Sequence, residues 1–397
     1  MLVGSVITGA AGPAAAAEPP GTATLTDVPL LDPTAGSVGC GPPGQVLYTG
    51  EPWAQARLAP HRVWSLTDGT SVTVAVVDSG VDASAPQLAG RVMRGTDVVG
   101  GGAGDDDCVG HGTFVAGLIA AAPQVGIAFA GVAPGARILP VRQTVDGRRG
   151  TADSLAAGIQ AAVRAGATVV NVSVAAGSTS PALERAVQEA LRRNVLVVAA
   201  VGNDGENGNA RPYPASLPGV LAVGAIDQAG TAPGFSGSGA FVDLVAPGVE
   251  VVGPGRRTAG HLRASGTSFA APFVSGVAAL VRARHPGLNA AQVKHRLEVT
   301  ADHPAGVMPH PTFGFGVVDA WAAVTAVLPE EHGATSPVRS PAVVAARPRP
   351  PESAHVVTAV VILAIAGVVA AGGTLVRVVL RAGRRRRRST DGQGAIR

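Results

Sequence analysis

Three residues that could together carry out nucleophilic catalysis occur in order along the chain, each close to glycine. They lie in the motifs Val76-Val77-Asp78-Ser79-Gly80, Gly110-His111-Gly112-Thr113 and Gly266-Thr267-Ser268-Phe269. A serine hydroxyl is a weak nucleophile near neutral pH, and an imidazole must take its proton while a carboxylate fixes the imidazole tautomer. The order and the residue types therefore predict acyl transfer in which Asp78 orients His111, His111 acts as the base and Ser268 attacks.

Each of these motifs also has an ordinary structural interpretation. Ser268 stands where a helix is predicted to begin, and a serine there can simply cap the helix. Pro272 suits the first turn of such a helix, because the N–H that proline lacks is unpaired there. The same position places the backbone N–H of Ser268 at the positive end of the helix dipole, where a developing oxyanion is stabilised.

An asparagine that could stabilise that oxyanion follows a predicted strand, in Ala199-Ala200-Val201-Gly202-Asn203. A fixed N–H donor facing the oxyanion typically contributes about 10²–10³ in rate. The alternative is that Asn203-Asp204-Gly205 only forms a turn. The three other motifs favour the first interpretation, so Asn203 is the predicted oxyanion donor.

The elements that must position these residues alternate between strand and helix, which predicts an α/β fold with a mostly parallel sheet covered on both faces. Functional side chains in such sheets gather at the carboxyl ends of the strands. The predicted strands are 72–77, 138–141, 168–174, 195–201, 220–226 and 241–245. The predicted helices are about 52–64, 111–122, 151–165, 181–193, one that begins near Ser268 and is ended by Pro286-Gly287, 290–299 and 319–327.

The catalytic motifs, in this order and context, resemble those of the subtilisin-like serine proteases from about residue 72 to residue 327. The resemblance implies a subtilisin-like three-layer fold and a serine endopeptidase that cleaves protein or peptide substrates. It also implies that Ser173, Val174 and Ala175 bind the substrate backbone and line the pocket for the residue before the cut. Ala175 and Ala176 stand where the family usually has glycine, so we expect a narrowed pocket and selective cleavage.

Further motifs resemble the mycosins, membrane-anchored subtilisin-like proteases of type VII secretion. They are Pro52-Trp53-Ala54-Gln55-Ala56-Arg57-Leu58, Asp106-Asp107-Cys108-Val109-Gly110-His111, Phe129-Ala130-Gly131-Val132-Ala133-Pro134-Gly135 and Leu139-Pro140-Val141-Arg142-Gln143. The resemblance implies a retained N-terminal extension that wraps the catalytic domain. It also implies association with components of a type VII secretion complex, in which a mainly structural role is the alternative hypothesis.

A membrane anchor is predicted near the C-terminus. Residues 356–376 are uncharged and almost wholly apolar, and at about 1.5 Å per residue they match a bilayer core. Arginines follow at once in the tail 377–397, which the positive-inside rule places in the cytoplasm. A buried core helix is the alternative for 356–376. We predict a single-pass protein of the cell membrane, with its catalytic domain on the extracellular, periplasm-like side and a proline-rich linker at 329–354.

The first 17 residues are apolar and end in an Ala-rich cleavage site, which predicts a signal peptide. They lack the usual basic start, so either the signal is atypical or the start methionine is placed too late. We assign residues 18–64 to an N-terminal extension and 65–328 to the peptidase domain. These boundaries, with the linker, span and tail, complete the predicted domain organisation.

Composition limits the remaining possibilities. Cys40 and Cys108 are the only cysteines, and an isolated pair in an exported protein usually forms a disulfide, although two free thiols are the alternative. The net charge of +4 comes from the arginine tail, so nothing favours nucleic-acid binding by the folded part. The acidic run Asp105–Asp107 lacks the spaced oxygen ligands of a calcium site. We therefore predict no metal and no cofactor.

Overall fold

Seven parallel strands form the central sheet, in the order β2-β3-β1-β4-β5-β6-β7. The computed structural model describes residues 23–31, 39–145 and 150–332. The strands of the sheet are β1 (Thr73–Asp78), β2 (Thr96–Asp97), β3 (Arg137–Arg142), β4 (Val169–Val172), β5 (Leu196–Ala200), β6 (Leu221–Ile226) and β7 (Leu244–Pro247). Most of their residues are buried and apolar, as a parallel sheet covered on both faces requires. The predicted parallel α/β sheet is confirmed.

Helices cover both faces of this sheet and give three layers. They are α1 (Trp53–Leu58), α2 (His111–Ala120), α3 (Ala152–Arg164), α4 (Pro181–Arg192), α5 (Thr267–Arg284), α6 (Ala290–Val299) and α7 (Ala320–Thr325). On one face, α2 and α5 pack through Phe114, Phe269 and Phe273 into the larger hydrophobic core. On the other, α3 and α4 form a second core with the sheet through Leu155 and Leu183.

Capping side chains fix where several helices begin. Ser154 N donates to Thr151 Oγ1 at the start of α3, and Leu183 N donates to Ser180 Oγ at the start of α4. Gln292 N donates to Asn289 Oδ1 at the start of α6. Each bond satisfies an N–H that the helix leaves unpaired in its first turn.

The helix α5 differs from the prediction at one residue. It begins at Thr267, so Pro272 is its sixth residue and lies inside the helix, beyond the first turn. A proline there removes a hydrogen bond to the carbonyl four residues earlier, which in α5 is the carbonyl of Ser268. We predicted that Pro272 would lie in the first turn, where a proline removes no hydrogen bond, and that prediction was wrong.

An antiparallel hairpin of β8 (Val251–Pro254) and β9 (His261–Ala264) was missed by the sequence analysis. The N-terminal extension lies along the free edge of β9. Arg263 N donates to Pro29 O at 2.8 Å, and His261 N donates to Val46 O at 2.7 Å. The described parts of the extension thus continue the hairpin.

A disulfide joins Cys40 of the extension to Cys108, three residues before His111, and confirms the predicted pairing. Gly41 N also donates to Cys108 O at 2.8 Å. Arg256, next to the hairpin, donates from Nε to Gly41 O at 2.7 Å. The extension is therefore fastened covalently to the segment that leads into α2.

A buried ion pair holds the last described residues. After α7, a 3-10 helix spans Pro329–His332, within the residues that the sequence analysis assigned to the linker. Glu331 receives both a 2.8 Å bond from Arg296 Nε and a second bond from Arg296 Nη2, and the two side chains are 5% and 1% exposed. Arg296 Nη1 also donates to Ala323 O and Ala326 O. The C-terminal end of the described chain is thus bound to α6.

Within residues 23–31, 39–145 and 150–332, no helix is both long enough and apolar enough to cross a membrane. The predicted signal peptide 1–17, the span 356–376 and the tail 377–397 lie outside the described residues, as does the linker after His332.

Candidate active site

Asp78 is the last residue of β1, next to the middle of the sheet, and its side chain is fully buried. Its Oδ1 lies 2.7 Å from His111 Nδ1 and accepts a second hydrogen bond, of 2.8 Å, from Ser79 N. A carboxylate beside Nδ1 holds the proton on that nitrogen, so the lone pair of the neutral ring lies on Nε2. The pair Asp78–His111 has the arrangement that a general base requires.

His111 is the first residue of α2, and its side chain is 13% exposed. Burial alone would lower the pKa of His111. The negative charge of Asp78 and the hydrogen bond to it outweigh burial, and the charge of Asp107 acts in the same direction, so the pKa of His111 is raised above its ordinary value. The imidazolium that forms when His111 takes a proton is therefore stabilised.

Ser268 is the second residue of α5, and its neighbour Phe269 links it to α2. The Phe269 ring lies 5.1 Å from the His111 ring and 4.9 Å from the Phe114 ring, centroid to centroid. These contacts bring the N-terminal ends of α2 and α5 together. His111 and Ser268 thus stand at the starts of two helices that pack against each other.

Asn203 lies just after β5 and is fixed by α5. Its Oδ1 accepts hydrogen bonds from Thr267 N at 2.9 Å and from Thr267 Oγ1 at 3.0 Å, which leaves its Nδ2 to donate elsewhere. A Cβ built on Gly266 would lie 3.1 Å from both Asn203 Nδ2 and Ser268 Oγ. The amide and the hydroxyl therefore face the same space, which stays open because residue 266 is glycine.

The predicted substrate-binding segment follows β4. Ser173 and Val174 are buried, and Ala176 pairs with Tyr213 through two backbone hydrogen bonds of 2.8 and 3.0 Å. Ala175 and Ala176 line a cavity of about 280 Å³. The other residues of that cavity include Gly177, Gly202, Asp204, Arg211 and Gly237. The segment thus leads directly from the sheet to a pocket beside Asn203.

Two residues that fix the start of the His111 helix, Asp107 and Ser79, lie in motifs quoted above but were given no role from the sequence. The buried carboxylate of Asp107 accepts hydrogen bonds from Thr113 N at 2.9 Å and Thr113 Oγ1 at 2.7 Å, and from Val109 N, Gly110 N and Ser79 Oγ at 2.9–3.0 Å. Ser79 Oγ in turn accepts from Gly112 N at 3.1 Å. The signal in the sequence was their position, because Ser79 follows Asp78 directly and Asp107 lies four residues before His111.

Burial raises the pKa of Asp107, and the charge of Asp78 adds to this effect, while the hydrogen bonds from Gly110 and Thr113 oppose it. The Asp107 oxygens form hydrogen bonds to the backbone at the start of α2.

Within the described part of the chain, no group of three or more His, Cys, Asp or Glu side chains could hold a metal ion.

Arg142, at the end of β3, joins the two segments on either side of the Asp78–His111 pair. It donates from Nε to Ser79 O at 3.1 Å and from Nη2 to Asp106 O at 2.6 Å, and it pairs with the carboxylates of Asp97 and Asp106. Two motifs that the sequence analysis singled out, around Asp106 and around Arg142, therefore meet in space.

Residues 69–317 match the model of the Peptidase_S8 subtilase family. The chain belongs to the subtilase family. Its catalytic motifs and three-layer fold agree with this assignment, and the protein is a serine endopeptidase of that family.

Among curated subtilases, the chain is 35% identical to Mycosin-4 of Mycobacterium tuberculosis (strain ATCC 25618 / H37Rv), in an alignment that covers 83% of this chain and 81% of that one. It is 37% identical to a thermophilic serine proteinase of Bacillus sp. (strain AK1), with 71% and 69% covered. The resemblance to mycosins is confirmed.

Solved structures of mycosins share the fold. MycP1, described as a serine protease and an essential component of the type VII (ESX-1) secretion system, matches with a TM-score of 0.64 at 31% identity, over 78% of this chain and all of that one. MycP3, a protease from the type VII (ESX-3) secretion system, matches with a TM-score of 0.62 at 32% identity, over 76% and 92%.

Proposed function

We propose that this subtilase cleaves peptide bonds by an Asp78–His111–Ser268 triad. His111 Nε2 takes the proton of Ser268 Oγ as that oxygen attacks the substrate carbonyl, and it then gives the proton to the leaving amine. Asp78 holds the tautomer and stabilises the imidazolium. The observation that carries the proposal is the 2.7 Å hydrogen bond that His111 Nδ1 donates to buried Asp78, with His111 at the start of a helix packed against α5.

The tetrahedral intermediate carries its negative charge on the former carbonyl oxygen. Asn203 Nδ2 and the backbone N–H of Ser268 are the proposed donors to that oxygen. The support is that Thr267 holds the other end of the Asn203 amide, so the side chain is aimed before substrate binds. A donor that is already in place costs no reorganisation during the reaction.

A fluorophosphonate probe tests the triad, because it forms a covalent bond with an activated serine. Full-length protein should be labelled, and peptide mapping should locate the label on Ser268. Ser268→Ala should abolish labelling, whereas Ser65→Ala, which changes an exposed serine before β1, should be labelled at the wild-type rate. Equal labelling of wild type and Ser268→Ala would refute the assignment.

We further propose that cleavage is selective. Ala175 and Ala176 line the cavity beside Asn203, and their methyl groups take up space that glycine would leave free. A pocket narrowed by a methyl group discriminates against larger side chains by about 1–3 kcal/mol. The physiological substrates would then be particular secreted proteins, with Ser173, Val174 and Ala175 contacting the residues before the cut.

The proposed location is the cell membrane, with the catalytic domain outside and the tail in the cytoplasm. The uncharged stretch 356–376 and the arginines that follow support this topology. The test compares full-length protein with a variant that ends at residue 354. Full-length protein should remain in the membrane fraction after a carbonate wash and should be degraded by external protease in intact cells. The shorter variant should be released.

A second function, as a structural component of a type VII secretion complex, is supported by the similarity to MycP1, which is described as an essential component of such a system. The two functions are separable by mutation. If the structural role dominates, a Ser268→Ala strain should keep an intact complex and normal secretion, and only deletion of the whole protein should abolish them. Loss of secretion in both strains would instead assign the role to proteolysis.

A further inference from the structure

The carbonyl of Ser268 lacks its usual partner in the helix. In an α-helix the carbonyl of residue i accepts a hydrogen bond from the N–H of residue i+4. Four residues after Ser268 is Pro272, which has no N–H. The donor comes from the sheet instead, because Ser173 Oγ donates to Ser268 O at 2.8 Å. A side chain of the predicted substrate-binding segment thus replaces a bond within the nucleophile's own helix.

Two more buried side chains stand behind Ser173. Asn171 Nδ2 donates to Ser173 Oγ at 2.8 Å, and Ser275 Oγ donates to Asn171 Oδ1 at 2.8 Å. Asn171 and Ser275 are fully buried, and Ser173 is 6% exposed. The four groups form one continuous chain of hydrogen bonds from Ser275 to the Ser268 carbonyl. We call this chain the Ser275 relay.

The hydroxyl of Ser275 fixes the direction of the relay. An amide side chain has one accepting oxygen and one donating nitrogen. While Ser275 donates to Asn171 Oδ1, the amide presents its NH₂ group to Ser173. Ser173 then accepts at its oxygen, and its single proton is available for the Ser268 carbonyl. A rotated amide would present oxygen to Ser173 and compete for that proton.

We infer that Ser275 is a positioning residue for the proposed nucleophile. It acts through Asn171 and Ser173 on the first turn of α5, and so fixes the direction of Ser268 Oγ and the Ser268 N–H. The inference rests on the proposed role of Ser268. A displacement of about 1 Å at a reacting group can cost about 10² in rate, so a small shift of this turn has a measurable effect.

Three substitutions at Ser275 test the relay in the full-length protein. Ser275→Ala removes the donor and should lower kcat about tenfold while KM changes less than twofold, because the backbone of the substrate-binding segment stays paired through Ala176 and Tyr213. Ser275→Thr keeps the hydroxyl and should restore most of kcat. Ser275→Cys keeps only a weak S–H donor and should fall between them. A residue that only stabilised the fold would lower Tm and leave kcat of the folded protein unchanged.

Pro272→Ala provides a second, independent test. Alanine returns the N–H that can donate to the Ser268 carbonyl within α5, so the relay becomes redundant. In the Pro272→Ala background, Ser275→Ala should lower kcat less than twofold. An equal tenfold loss in both backgrounds would overturn the inference, as would wild-type kcat in Ser275→Ala. Far-UV circular dichroism and Tm of every variant identify loss of folding. If Ser275→Ala does not fold, Ser275→Cys is compared in the wild-type and Pro272→Ala backgrounds instead.

Fluorophosphonate labelling separates this inference from the proposed function. If wild-type protein is labelled at Ser268 and Ser275→Ala is labelled equally fast, only the relay is wrong. If Ser268→Ala is labelled like wild type, the assignment of the nucleophile itself is wrong, whatever the Ser275 variants show.

Discussion

Asp107 and Thr113 are joined by two hydrogen bonds to one carboxylate oxygen, 2.9 Å from Thr113 N and 2.7 Å from Thr113 Oγ1. Asp107 precedes α2, and Thr113 lies in its first turn. The carboxylate therefore satisfies an N–H that the helix leaves unpaired, two residues after His111. Asp78 bonds the proposed base directly, and Asp107 fixes the turn of α2 that carries it.

Asp107→Asn should destabilise the protein and reduce its activity. An amide nitrogen facing Thr113 cannot accept its two bonds, and each buried donor left unpaired costs about 1–3 kcal/mol. Urea denaturation should show a loss of about 2–6 kcal/mol in the free energy of unfolding. Asp106→Asn is the matched control, because that carboxylate is 75% exposed and should contribute less than about 1 kcal/mol. Equal losses in the two variants would contradict this account.

The pH dependence of kcat/KM should report the raised pKa of His111. Only the neutral imidazole can act as base, so activity should rise with pH and reach half its maximum above the ordinary histidine value of 6.5. Asp78→Asn removes the charge that raises the pKa. Its residual activity should be about 10⁴-fold lower, by analogy with the same change in other serine proteases, and its midpoint should shift to lower pH. If the pH midpoint of Asp78→Asn equals that of the wild type, Asp78 does not set the pKa of the catalytic base.

Asn203→Ala should lower kcat by about 10²–10³ and leave KM nearly unchanged, because the donor acts on a charge that exists only in the transition state. Asn203→Asp keeps the shape and can still accept from Thr267, but its carboxylate repels the oxyanion. It should be at least as impaired as Asn203→Ala. Wild-type kcat in Asn203→Asp would show that Asn203 serves only to hold Thr267.

Ala175→Gly should broaden specificity. Removing one methyl group from the cavity wall should raise kcat/KM for peptides with a large residue before the cut by about 10-fold or more, relative to peptides with alanine there. A peptide library that varies this one residue measures the ratio. Val174→Ala, which changes a buried neighbour of the same segment, serves as the comparison. An unchanged preference in Ala175→Gly would mean that another part of the chain limits the pocket.

Reduction of the disulfide should lower stability. Cys40 and Cys108 are 68 residues apart, and closing a loop of that length contributes on the order of 4 kcal/mol in the chain-entropy model. Urea denaturation with and without dithiothreitol measures the difference. The double variant Cys40→Ser/Cys108→Ser should match the reduced protein and show no response to the reductant. A response in that variant would attribute the effect to something other than this bond.

Much of this fold could be predicted from local sequence, because apolar runs of four to six residues, bounded by glycine or a polar residue, recur along the chain. The β1 strand and its terminal Asp78 are one example. The β8–β9 hairpin was missed because β8 is short and ends in Gly253-Pro254, and because β9 pairs on its other side with residues of the N-terminal extension more than 200 positions away. Such pairings leave no local periodicity.

The Ser275 relay shows the same limit at the site. A serine within the apolar run 273–281 carries no period or motif that distinguishes a relay from a buried hydroxyl bonded to its own helix. Asn171, within Val-Val-Asn-Val, carried a stronger signal, since a buried amide needs partners. Only the packing of β4 against α5 identifies those partners.

The ion pair between Arg296 and Glu331 also decides how mechanical load enters the domain. A pull on the chain beyond His332 acts on Glu331 and passes through Arg296 into α6, which contains Arg296, and into α7, whose Ala323 carbonyl Arg296 also binds. Separating such a pair leaves an uncompensated buried charge, at a cost of about 3–5 kcal/mol. Because Arg296 also bonds to Ala323 of α7, tension from the chain beyond His332 is resisted by α6 and α7 together before it reaches the helix that carries Ser268.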